Sequence, residues 1–238
     1  MSRGDADSDR APEPGVDDGN PETRPTTDPE VAQRWIAKAV EVDSFNVRWL
    51  LDQVSSDDGA VDSILDSVLS DPNRLEAVRS TGLLDGAPHA AIDRVAQLTA
   101  EALGTPFASV ALVVHDHQVL VGCNVGEAAF SRTRPLEMSL SKYAVVSRQP
   151  LIVDDAGLHP LLADHPAVQT GVLRAYAGIP LIDDRGHAVG TLSTWDHHRH
   201  QWTSGQIQIL RDLTEVARVH LFAAGAAAPP VRRKRGRR

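Results

Sequence analysis

At 238 residues, 42% of them apolar but only 4% aromatic, the chain has room for one ordinary domain plus tails, its core built mainly from Val, Leu, Ile and Ala. The net charge of −8 is uneven: residues 1–30 carry nine acidic and three basic side chains, whereas Arg232 to Arg238 hold six basic residues and one glycine. An acidic body excludes nucleic-acid recognition across its surface, and a lone Cys123 excludes a disulfide framework or a multi-cysteine zinc site.

No stretch approaches the ~18 apolar residues of a membrane span, and the acidic start lacks the apolar segment of a secretory signal. The expectation is a cytoplasmic protein. Three Lys against 21 Arg point to a GC-rich bacterial genome.

Residues 1–28, rich in Asp, Pro, Gly and Thr, bury too little apolar surface to offset chain entropy and read as a disordered acidic tail. Residues 29–70 read as a helical extension. Trp35, Ile36, Ala39, Val40, Phe45, Trp49, Leu50 and Val54 recur at helical spacing, and so do Val61, Ile64, Leu65 and Val68. These helices are too short for a domain of their own and should dock on the main domain or on a second subunit. Asp71-Pro72 reads as an N-cap followed by proline in the first turn.

Ala90 to Leu103 is an amphipathic helix closed by Gly104-Thr105-Pro106. Phe107–Val114 and Gln118–Cys123 form a hairpin through His115-Asp116-His117. A short helix over Leu140–Ser147 precedes strand-like Leu151-Ile152-Val153. A second hairpin joins Tyr176–Ile182 to His187–Trp195 through Asp183-Asp184-Arg185-Gly186, where glycine supplies the positive φ of the turn. Thr203 with Gln206 forms a capping box, opening a helix whose apolar stripe is Ile207, Leu210, Leu213, Ala217 and Leu221. Hairpins bracketed by helices imply an α+β fold with an antiparallel sheet.

Four segments in order, 71–85 (DPNRLEAVRSTGLLD), 150–160 (PLIVDDAGLHP), 175–196 (AYAGIPLIDDRGHAVGTLSTWD) and 201–213 (QWTSGQIQILRDL), resemble the GAF family of bacterial signalling proteins. The resemblance covers nearly all of residues 71–222, with a flexible basic tail at 223–238 beyond it. It implies a GAF-like, PAS-related antiparallel sheet of about six strands flanked by helices. One face would carry the terminal helices, and the other a ligand pocket roofed by loops and a short helix. Relatives often carry Cys, His and Cys where this chain has Ser141, Tyr143 and Ser193. Bilin attachment and methionine-R-sulfoxide reduction, which need such cysteines, are therefore not expected. The motif of cyclic-nucleotide-binding relatives is also missing, and the sequence names no cofactor.

Cys123 lacks a neighbouring cation and reads as a core thiol. His197, His198 and His200 with Asp196, like His115-Asp116-His117, are too close in sequence to converge on a metal and read as loop residues. Asp154, Asp155 and His159 lack a companion nucleophile, so no catalytic residue is assigned and the chain is not expected to be an enzyme. The expected ligand-binding set is Ser139, Ser141, Tyr143, Asp154, Tyr176 and Ser193, donors and acceptors in regions the family places around its pocket.

The expected function is that of a non-catalytic regulatory sensor, a homodimer binding a small molecule or a signalling protein and relaying through its terminal helices. The stripe from Ile207 to Leu221 and the helices at 31–69 are the expected contact surfaces. Two alternatives stand beside it: a ligand-free dimerisation module whose pocket has closed on its own side chains, and a regulator held weakly on nucleic acid or an acidic partner by Arg232–Arg238.

Overall fold

A computed structural model of the chain describes residues 60–125, 131–159 and 162–227. The acidic tail, the helical stretch expected at 31–54 and residues 228–238 lie outside these residues, while residues 223–227 of the tail expected at 223–238 belong to the last helix.

Helix α1 (Ala60–Leu69) runs into α2 (Pro72–Ser80), which Asp71 caps by accepting from the backbone N–H groups of Asn73 and Arg74. Helix α3 (Ala90–Leu103) ends at Gly104 in the left-handed region, and its apolar face of Ile92, Val95, Ala96 and Leu103 is buried. Strands β1 (Phe107–Val113) and β2 (His117–Cys123) form the first hairpin. After β3 (Thr133–Pro135) come α4 (Ser141–Ser147), β4 (Leu151–Val153) and the short α5 (Pro166–Gln169). Strands β5 (Ala175–Ile182) and β6 (Ala188–Asp196) make the second hairpin, its turn closed by Gly186 at φ 86°. Helix α6 (Ser204–Ala227) follows, and the expected capping box is formed: Gln206 accepts from Thr203 N–H, and Thr203 Oγ1 from Gln206 N–H.

The six strands form one sheet in the order β3-β2-β1-β6-β5-β4, with every neighbouring pair antiparallel. This is the α+β sheet implied by the sequence. Each face has its own core. On one, α2, α3 and α6 pack Val78, Ile92, Val95, Leu210, Ala217 and Leu221 onto Val110, Leu112, Ile179, Leu181 and Leu192. The other is a roof, where Leu65, Leu69, Ala144, Val146, Leu162 and Leu173 pack with Tyr176 and Trp195.

Helices α1 and α2 are separated by two residues but belong to opposite cores: Leu65, Val68 and Leu69 join the roof, Ala77 and Val78 the helical face. The chain therefore wraps one end of the sheet, and Arg74 fastens the bend. Its Nη1 donates to the Val113 carbonyl at 2.7 Å, and its Nη2 to the Leu69 carbonyl.

One expectation is corrected. Leu210, Ala217 and Leu221 are buried beneath the sheet, with Ile207 and Leu213 packed beside them, so this stripe is consumed inside the molecule. Among the described side chains, the large exposed apolar residues of α6 are Ile209, Val216 and Val219, on its opposite side.

Candidate functional site

The roof-side surface of the central strands is unusually polar for a core. Strand pairing aligns Ser109 of β1 with Ser193 of β6, and Ser193 with Gly178 of β5, so their side chains project on one face. Tyr176, two residues before Gly178, lays its ring along the strand over that glycine. A Cβ at position 178 would stand 2.5 Å from the Tyr176 hydroxyl, so the conformation of the tyrosine depends on Gly178.

Helix α4 closes over this row. Thr191 donates to Ser141 Oγ at 2.8 Å, and Ser141 Oγ lies 3.2 Å from the Tyr176 hydroxyl. Ser109 and Ser193 are 3.4 Å apart. Nearer the β3 edge, Ser139 donates to Gln118 Oε1 at 2.6 Å. Burial raises the Tyr176 pKa, only partly offset by hydrogen bonding to Ser141, Ser193 and Thr191, so the phenol stays protonated at neutral pH.

Among these groups lies a cavity of about 50 Å³, with Ser109, Gln118, Arg134, Ser141, Tyr176 and Ser193 on its polar side and Leu140, Leu173 and Trp195 on its apolar side. It has room for a few water molecules. Small-molecule sites run to roughly 300–1,000 Å³. A larger ligand enters only if the roof, formed by α4 and the α5 segment, moves away from the sheet.

Of the expected ligand-binding residues, Ser141, Tyr176 and Ser193 line the cavity, and Ser139 orients Gln118 on its wall. Tyr143 is buried one step away, edge-on to His165 with ring centroids 6.4 Å apart. Asp154 stands outside the site. It follows the last residue of β4 and accepts from the Trp202 N–H at 3.2 Å, tying that strand to the approach of α6.

The roof segment is held by local polar bonds. Asp155 accepts from Gly157 N–H and pairs with Arg174, whose hydrogen bond and charge keep the carboxyl below its usual range. His165 caps α5 by accepting the Ala167 N–H on Nδ1 at 3.2 Å. That bond places the neutral ring's proton on Nε2, which is buried with no hydrogen-bond partner among the described residues. Burial, and then the charge of Lys142, depress the His165 pKa from 6.5 to about 4.

Of the remaining candidate clusters, His115 and His117 both turn to Asp116, whereas the one at 196–200 diverges. His197 reaches the Gly171 carbonyl and stacks edge-on against Phe107, His198 turns to Asp196, and His200 lies against Trp202. Among the described residues, no group of three His, Cys, Asp or Glu side chains could hold a metal ion, and no helix is long and apolar enough to cross a membrane. Cys123 is buried and donates to the Val125 carbonyl.

No curated protein matches the chain. Among solved structures, it is similar to the GAF domain of an Acinetobacter phosphoenolpyruvate-protein phosphotransferase at 14% identity, with a TM-score of 0.51 over 66% of this chain and 96% of the other. It is similar also to the corresponding domain from Coxiella burnetii, at 22% identity and a TM-score of 0.47 over 65% and 97% of the two chains. A free methionine-R-sulfoxide reductase from Neisseria meningitidis, in complex with its substrate, gives 20% identity and a TM-score of 0.47 over 80% and 98%. The GAF domain family model matches residues 87–221, more than half of the chain, and the chain therefore belongs to the GAF domain family, a family of regulatory and sensor domains.

Proposed function

We propose that the protein is a non-catalytic bacterial signalling module of the cytoplasm that binds a small polar molecule beneath α4 and passes the occupancy on through α1 and α6. The observation carrying this reading is the Thr191–Ser141–Tyr176 chain of hydroxyls at the cavity, because the middle member belongs to the helix that must lift. Buried hydroxyls that bond one another can exchange those bonds for bonds to a ligand at little net cost. Helix α4 also packs beneath α1, so a ligand that favours the open roof shifts the position of α1 in proportion to its preference between the two states.

Protein purified from its native host and denatured should release a bound small molecule detectable by mass spectrometry, and Tyr176→Phe with Ser141→Ala should reduce its recovery. Consistent absence of a ligand, with no thermal shift across a metabolite panel, would sink the sensor reading.

The second reading is a ligand-free pairing module, and the small cavity volume favours it. In either reading the protein pairs with a second copy through α6. Val219, 60% exposed, lies one turn beyond Val216, with Ile209 two turns before Val216 on the same side. Val216→Glu with Val219→Glu should shift the sedimentation of the full chain from dimer to monomer while its melting temperature stays within a few degrees. An unchanged sedimentation coefficient removes α6 as the pairing surface.

A further inference from the structure

A second cavity, of about 90 Å³, lies at the bend where the chain passes from the roof to the helical face. Val68 and Val145 form apolar walls, and Asp71, Arg74, Arg148 and His187 bring polar groups to it. Four elements meet here: the end of α1, the start of α2, the end of α4 and the start of β6. None of these residues belongs to the cavity beneath α4.

The charges are unusual in what they lack. Arg74 is only 4% exposed, yet among the described residues it forms no salt bridge; both Nη groups donate to backbone carbonyls, and its buried Nε has no hydrogen-bond partner there. Burial lowers its pKa to about 10, which still leaves it charged at neutral pH. Arg148, the C-cap of α4, adopts φ 55° and is exposed at the cavity, with no carboxylate partner among the described residues. The nearby Asp71 carboxylate offsets part of the desolvation cost of the Arg74 charge, and a bound anion would offset more of it.

Asp71 selects which anion. Its Oδ1 accepts from two backbone N–H groups, while Oδ2 takes no hydrogen bond from the described residues. A fully deprotonated oxyanion placed here would face the Asp71 carboxylate with nothing to offer it. An anion bearing one O–H can donate to that oxygen while both guanidinium charges attract it.

We propose that this cavity binds hydrogen-bearing phosphate, with the Arg74 and Arg148 charges attracting it, Arg148 donating to it and Asp71 Oδ2 accepting its O–H. Inorganic phosphate keeps a proton at neutral pH. Sulfate does not, and a phosphomonoester, with a second pKa of about 6, has largely lost its own. Bound phosphate ties the α1–α2 bend to the end of α4, so it stiffens the contact between roof and N-terminal helix from a site separate from the hydroxyl cavity.

Isothermal titration calorimetry of the full chain at neutral pH, with inorganic phosphate, sulfate and glycerol phosphate in turn, tests this. Phosphate should bind saturably, and sulfate at least about tenfold more weakly, the scale of one lost charge-assisted hydrogen bond. Glycerol phosphate should approach phosphate only as the pH falls below about 6. Arg148→Gly removes the charge while suiting the left-handed backbone, so it should fold and weaken phosphate binding about tenfold or more. Asp71→Asn retains a good helix cap and should erase the preference for phosphate over sulfate. Equal, non-saturating heats for phosphate and sulfate overturn the proposal, as does Arg148→Gly binding phosphate like the wild type. A thermal melt of each variant confirms that it is folded.

Discussion

Replacing Gly190 by Ala is expected to destabilise the protein by about 3 kcal/mol or more. Gly190 lies in β6 opposite Leu112 of β1 and Leu181 of β5, at the centre of the sheet. A Cβ there would stand 2.8 Å from the carbonyl carbon of Ala111, closer still to its oxygen, and 3.0 Å from Leu112 Cα. All of these are backbone atoms, so no rotamer change relieves the clash. The β1–β6 ladder must spread or slip, and both sheet faces lose packing with it. Urea unfolding followed by tryptophan fluorescence measures the loss. Gly205→Ala, in the first turn of α6, is the control: its Cβ meets only Thr203 Oγ1 at 3.9 Å, and alanine favours helix. If Gly190→Ala unfolds at the same urea concentration as Gly205→Ala, the packing described for the central pair is wrong.

Acidification should remove about 3 kcal/mol of stability through His165 alone, the free-energy equivalent of lowering its pKa from 6.5 to about 4. The folded pKa is the lower one, so between these values the unfolded chain binds more protons. The stability is fully present above pH 6.5 and declines as pH falls towards about 4. The structural cause is visible in the cap. A proton on Nδ1 displaces the Ala167 N–H that this nitrogen accepts, and leaves a charged ring against Tyr143, near Lys142. His165→Asn keeps a side-chain acceptor for the cap but does not titrate. Its unfolding free energy should fall less steeply over this range, with His159, also depressed by burial, supplying part of the remaining slope. Identical pH profiles for the two proteins would contradict the assignment.

Much of the fold was legible because each element carries its own signal. Asp71-Pro72, the Thr203–Gln206 box and the Gly186 turn all fix boundaries through local bonds, independent of what packs nearby. Strand β3 carries no such signal, and helix α5 carries only the His165-Pro166 start of a single turn. Thr133–Pro135 has three residues with no buried member, and Pro166–Gln169 is a single turn held by its cap and by the roof above the sheet. The apolar stripe of α6 was read correctly as a stripe, but periodicity identifies an apolar face without identifying its partner.

The site divides in the same way. Ser141, Tyr176 and Ser193 follow from the family resemblance, whereas Ser109, Thr191 and Gln118 depend on strand register. Ser109 faces the cavity because it pairs with Ser193, eighty-four positions away, which no local pattern encodes. Asp154 lies off the cavity lining for a related reason: it stands just past β4, where the chain is already turning towards Trp202.

The passage of the chain around the sheet edge gives its two ends different addresses. Helix α1 joins the core that covers the hydroxyl cavity, while α6 packs on the reverse side. Leu65, Val68 and Leu69 of α1 share the roof core with Ala144, Val145 and Val146 of α4, so a label on α1 would sit on the same side as the hydroxyl cavity. A label on α6 would lie across the sheet from that cavity, so the two labels should respond with different amplitude to a ligand bound beneath α4.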